Sequence, residues 1–273
     1  MLELLDFFNY QFFNRALLMS VFCGISCGII GVWILLLNIA FIGITMAHAA
    51  FAGALIGLLI GINPVLCAFI VCIISSVLIE PISKKAKTQT NISISILFSF
   101  MLGISFLFLS LLQESKTNIL SLIWGNILTT TNNDIYVNSI LTILLILFLI
   151  IFNKGIIAIL FNREISRAAG IPEKVIFYLI LLLCSTVISM NLHSIGGLLI
   201  YGLIIIPSSC AYQFTNKISL IYLLSALISM FSCIIGLFVS AILSVPVGAT
   251  IILILSLFFV ISILVSKKKG YII

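Results

Sequence analysis

Apolar stretches long enough to cross a bilayer follow one another along this chain, separated by short polar or charged breaks. A helix rises about 1.5 Å per residue, so a hydrocarbon core about 30 Å thick asks for roughly 20 apolar residues. Runs of that kind fall at 15–37, 39–62, 64–80, 91–113, 135–153, 173–193, 196–214, 218–243 and 247–266. The pattern predicts an all-α, polytopic transmembrane helical bundle of about 8–9 spans. No segment has the make-up of a soluble domain, so residues 1–273 read as one membrane-embedded domain. Any nucleotide-hydrolysing or ligand-capturing part must then be another chain.

Composition sharpens this picture. Apolar residues make up 63% of the chain and charged residues only 7%, against about 25% charged in soluble domains. The net charge of +6 reads as a topology signal and not as a nucleic-acid surface. Lys84, Lys85 and Lys87 form one basic loop, Lys154, Arg163, Arg167 and Lys174 another, Lys217 marks a third, and Lys267, Lys268 and Lys269 follow the last span. Alternating spans put all four on one side. By the positive-inside rule that side is cytoplasmic, with the C-terminus inside and, for nine spans, the N-terminus outside. The N-terminus carries Glu3 and Asp6 and no basic residue before Arg15, unlike a secretory signal. Its Phe7, Phe8, Tyr10, Phe12 and Phe13 read as an interfacial belt. Seven cysteines lie within apolar runs without a CxxC pair, and read as small packing residues.

One of the two histidines, His48, sits inside an apolar run, in "GITMAHAAFAG" (43–53). An imidazole in hydrocarbon needs partners for its nitrogens, and an ionisable residue within a span marks a functional site by default. Ala49, Gly53, Gly57 and Gly61 recur every four residues in the same span, a stripe that lets helices approach closely. It leaves His48 beside the seam, either as a packing residue or as part of a path for something polar. Thr45 and Met46 are the nearest polar and thioether groups. His193 lies at an outward span end, before Gly196 and Gly197, as a loop residue or a member of the uptake mouth. Pro207 falls inside a span, followed by Ser208 and Ser209, which either satisfy freed backbone groups or line a polar path. The longest outward stretch, 114–134, is apolar in its middle and carries Trp124. Between two spans on the basic side, residues 162–170 predict a short surface helix closed by Gly170, with Pro172 opening the next. Arg163, Glu164 and Arg167 on it face water or a partner.

At this point the chain resembles a known family. "GITMAHAAFAG", "LIWGNILTTTNNDI", "FNREISRAAGIP", "IGGLLIYGLIIIPSSCA" and "GLFVSAILSVPVGATIIL" occur in the order found in the membrane permease subunits of zinc- and manganese-transporting ATP-binding-cassette importers. Each motif is mostly apolar, and their order over the whole chain is what is specific. The resemblance implies a permease of the type II importer kind that translocates a divalent metal ion along a homodimer axis. It implies two copies of a cytoplasmic ATP-binding subunit, an extracytoplasmic metal-binding protein, and the plasma membrane of a prokaryote. It makes 162–170 the coupling helix, with Arg163, Glu164, Arg167 and Gly170 at the ATPase. It makes His48 the metal ligand, with Thr45, Met46, His193 and Ser208 along the path. No cofactor is bound stably, and ATP belongs to the partner.

One departure bears on the cargo. The family usually has an aspartate one turn before the histidine, and here that position is Ile44. Manganese prefers carboxylates, whereas imidazole and thioether suit softer ions. A permease for a metal chelate, siderophore or vitamin B12-like ligand is therefore the alternative, and such permeases generally have one more span. Glu80, Glu164 and Glu173 lie at span ends or in loops, which argues against an ion-coupled carrier. No paired acid and base, HExxH helix or phosphate loop points to an enzyme.

Overall fold

The computed structural model describes residues 10–112 and 127–266, with the backbone alone at His193 and Leu198. Among these residues every regular element is helical. The first four helices are α1 (Gln11–Leu36), α2 (Ile42–Ile60), α3 (Pro64–Ala86) and α4 (Thr90–Leu111). After a 3-10 turn at Ile127–Thr129 come α5 (Asn132–Ile151), α6 (Asn153–Phe161) and α7 (Arg163–Ala168). The chain then continues through α8 (Glu173–Ile195), α9 (Gly197–Phe214), α10 (Ile218–Leu243) and α11 (Val247–Val265). Eight helices are long and apolar enough to cross a membrane, and the apolar stretch Leu199–Phe214 of α9 adds a shorter ninth. The chain is a multi-pass membrane protein with the all-α architecture its apolar pattern predicts.

Local chemistry sets the helix ends. The Asn63 side chain accepts from the Val65 and Leu66 N–H groups ahead of α3, with Pro64 at the first helical position. Thr131 and Asp134 cap each other reciprocally at the start of α5. Helices in lipid gain little from apolar burial against one another, so close packing and hydrogen bonds must hold them. The central helix α1 shows both. A Cβ at Gly28 would lie 2.7 Å from the Ala226 Cα, so only glycine lets α10 come this close. The Ser225 hydroxyl then donates to the Gly28 carbonyl at 2.7 Å. Trp33 of α1 meets Phe148 of α5 edge to face.

The ends of the bundle can be told apart. Leu36 and Leu37 share a crevice with Phe161–Glu164, and ion pairs join Lys84, Glu80, Arg163 and Glu173 there. The Ser266 hydroxyl donates to the Gln213 carbonyl, linking the ends of α11 and α9. Opposite lies an apolar cavity of about 680 Å³, lined by Phe13, Ile127, Ile195, Leu237 and Pro246 among others. The basic loops within the described residues therefore gather at one end. Two features differ from expectation. Residues 153–161 form a separate helix, α6, that buries Ile156, Ile159 and Leu160. Phe13 is buried against Phe238 and turns into the bundle, whereas Phe12 is exposed. Phe7, Phe8, Trp124 and Lys267–Lys269 lie outside the described residues.

Candidate translocation site and coupling handle

His48 projects from the first half of α2. The small-residue stripe turns toward α3: a Cβ at Gly53 would lie 2.6 Å from the Cys67 carbonyl oxygen and 2.7 Å from the Ala68 Cα. His48 stands off that seam, as its spacing predicted. It lies with Phe41 and Ile44 on a part of α2 that is only partly covered, while Ala52 and Leu55 farther along the same face are fully buried. Its ring edge meets Phe98 of α4, with centroids 5.2 Å apart at 71°. Its Nδ1 is buried and has no hydrogen-bond partner. An imidazole nitrogen left unpaired in an apolar setting costs free energy unless something outside this arrangement meets it.

On the neighbouring helix α4, Asn91, Ser95 and Ser99 recur at four-residue spacing. With Phe41 they line a shallow crevice of about 360 Å³. Ser95 and Ser99 donate to carbonyls one turn back, which leaves their lone pairs free to accept. These hydroxyls were legible as a stripe at helical spacing, but only the fold shows that they meet Phe41 of α2 in one crevice, which His48 does not line.

The other proposed path residues go elsewhere. The Thr45 hydroxyl donates to the carbonyls of Phe41 (2.8 Å) and Ile94 (3.4 Å) and is buried between α2 and α4. Met46 is buried on a different face, where its carbonyl accepts from the Cys72 thiol. Ser208 is buried and its hydroxyl donates to the Ile204 and Ile205 carbonyls of its own helix. None of the three side chains shares the open face with His48. His193 closes α8, and its side chain lies outside what is described. Among the described residues no three His, Cys, Asp or Glu side chains come together as a metal site. Within one copy, His48 is thus a single donor.

At the basic end, Asn162 caps α7 by accepting from Glu164 and Ile165 N–H groups, and Gly170 leaves it with φ +78°. The stop and start signals at 162–172 were therefore legible. The side chains divide in two. Phe161, Glu164 and Ile165 face outward, Phe161 78% and Ile165 68% exposed. Arg163 turns inward, against the expectation that it faces water or a partner. It pairs with Glu80 and Glu173 and lies 3.6 Å over the Phe177 ring. Arg167 also pairs with Glu173, which raises its guanidinium pKa further above the ordinary value. Glu80 and Glu173 were missed as site residues because their partners are far away in sequence or across a turn.

A profile of the ABC 3 transport family matches residues 9–266. The chain belongs to that family. It is 28% identical to the manganese transport system membrane protein MntC of Halalkalibacterium halodurans, over 96% of this chain and 90% of the relative. It is 29% identical to the MntC of Listeria monocytogenes, over 99% of this chain and 96% of the relative. Its fold matches a chain in the structure of PsaBC from Streptococcus pneumoniae in complex with Fab. That match has a TM-score of 0.87 at 24% identity, covering 98% of this chain and 97% of that one. The resemblance carried by the five ordered motifs is thus correct at the level of family and fold. Family membership makes the chain a membrane-spanning subunit of an ABC transporter.

Proposed function

We propose that this chain is the permease of an ATP-driven importer for a divalent metal ion, manganese first and zinc second. The observation that carries the reading is His48, a half-buried imidazole within the span that has a buried nitrogen without a partner and a ring still partly open to the outside of the single chain. Two copies related by an axis along this side of α2 would set two imidazoles opposite each other, with the Ser95 and Ser99 hydroxyls lining the way on. A passing cation would exchange water for these ligands without a resident site to trap it. The curated MntC relatives are named for manganese transport, which supports the cargo class. The basic end is cytoplasmic, which puts the C-terminus inside and the exposed surface of α7 against a cytoplasmic ATP-binding subunit, one per copy. An extracytoplasmic binding protein delivers the ion to the opposite end. The described residues hold no tenth crossing helix, which favours the bare ion over a chelate or a vitamin B12-like ligand.

The test is complementation. The chain is co-expressed with its ATPase and binding protein in a bacterial strain without manganese uptake of its own. Growth under manganese limitation and accumulation of radioactive manganese should return. Accumulation of zinc alone would reassign the metal, and accumulation of neither would refute the proposal.

A further inference from the structure

Two carboxylates are buried where α3, the α7 handle and α8 meet. The Glu80 and Glu173 side chains are 4% and 1% exposed. Burying a carboxylate is unfavourable unless a charged, hydrogen-bonded partner offsets the lost hydration. Arg163, the first residue of the handle, is that partner for both. Its Nη2 donates to Glu80 Oε1 at 3.1 Å and its Nε to Glu173 Oε1 at 2.5 Å. The planar fork fixes direction as well as charge, and the Phe177 ring closes over one side. Arg167 holds the second Glu173 oxygen at 2.9 Å. The handle is thus fastened at one residue to two membrane-spanning helices.

The grip on α3 is placed on its membrane-spanning part. Glu80 directly precedes Pro81, which has no N–H for the Val77 carbonyl and so loosens the terminal turns from the rest of α3. Arg163 therefore holds the span itself. The span is in turn locked to α2. Gly53 admits the α3 backbone to a distance that no side chain would allow, and the Cys72 thiol donates to the Met46 carbonyl at 3.2 Å. Met46 lies two residues from His48.

We infer that Arg163, Glu80 and Glu173 form a clamp through which the handle moves α3, and α3 moves the His48 helix. The three are positioning residues for transport and do not touch the cargo. The inference rests on the reading of 162–170 as the ATPase handle. Contiguous contacts alone do not establish coupling. The specific claim is that handle and α3 move as one rigid body and that transport depends on it.

Two measurements test it on the complex of this chain with its ATPase and binding protein in proteoliposomes. The first is manganese transported per ATP hydrolysed. The wild-type complex is read first: ATP hydrolysis without manganese movement there contradicts the proposed function, not the clamp. With wild type active, Glu80→Gln and Arg163→Ala should still bind the ATPase and hydrolyse ATP. Their transport per ATP should fall about tenfold or more, within the usual span of coupling between sites. Arg163→Lys, which keeps charge but loses the fork, should recover part of it. An unchanged ratio in both variants overturns the clamp. The second leaves the clamp intact. Spin labels replace Ile165 and Val77, both exposed, with Cys67 changed to serine. One narrow distance, the same without nucleotide and with ATP bound, is expected. A shift of several ångströms between the two states means that handle and α3 move separately, and overturns the inference.

Discussion

Arg163→Ala removes the one guanidinium that two buried carboxylates share. The size of the effect follows from burial more than from distance. Lys84 lies 2.6 Å from Glu80, closer than Arg163 at 3.1 Å, yet the Lys84 side chain is 52% exposed and the Arg163 side chain 27%. An exposed pair in water is worth about 0–1 kcal/mol, because solvent screens it and a long side chain must be ordered to make it. Removing the sole partner of a buried charge costs about 3–5 kcal/mol. With Arg163 gone, Lys84 still meets Glu80 and Arg167 still meets Glu173, so each carboxylate loses one of two cations and the cost falls below that, to about 1–3 kcal/mol. Lys84→Ala should cost about 1 kcal/mol at most. At about 2–4 °C per kcal/mol for a chain of this size, Arg163→Ala should lose about 2–12 °C of melting temperature. The assay is thermal unfolding of the detergent-solubilised chain, wild type beside both variants. A third variant changes Arg163, Glu80 and Glu173 to leucine together. It removes the buried carboxylates along with their pairs and should recover most of the stability. Equal shifts for Lys84→Ala and Arg163→Ala would refute the reasoning, as would a triple variant no more stable than Arg163→Ala.

Other consequences follow from the same geometry. Gly53→Val should destabilise by about 1–3 kcal/mol or more, since overpacking forces α2 and α3 apart; melting temperature and folded yield in detergent check it. Cysteine in place of Lys85, in a background without native cysteines, should resist impermeant thiol reagents added outside intact cells, and cysteine in place of the exposed Asn132 should react. External labelling at 85 would reverse the orientation. Ile44→Asp puts a carboxylate one turn from His48 on the same open face. It should shift transport preference toward manganese or slow release of the ion, read as relative uptake of manganese, zinc and cobalt; an unchanged metal profile would show that the face does not carry the ion.

The spans were legible because bilayer length and helix rise demand long apolar runs, and the run at 196–214 proved the shortest of them. The handle was legible because Asn162, Gly170 and Pro172 act on their immediate neighbours. The side-chain direction of Arg163 was not, because it is decided by Glu80, 83 residues earlier, on a helix whose contact with the handle no local pattern reveals. Helix α6 was hidden because its nine residues are too few for a span and too apolar for a loop. Ile156, Ile159 and Leu160, spaced three and four apart, were the available sign. The position of His48 beside the glycine seam could be read from spacing alone. Its company could not: Thr45, Met46 and Ser208 are polar or soft groups on helices, and hydrogen bonding to the backbone or burial takes each away from the open face. The serines that line the neighbouring crevice belong to a different span.

The central claim is that a divalent cation passes His48 on the face of α2 and α4. Radioactive manganese uptake by proteoliposomes holding the complete complex, compared between wild type and His48→Leu, tests it most directly. Leucine keeps the volume and removes the donor. The account predicts ATP-dependent uptake by wild type and its near-complete loss in His48→Leu, with assembly with the ATPase and ATP hydrolysis retained. Uptake at the wild-type rate by His48→Leu would contradict it and leave α2 a packing element.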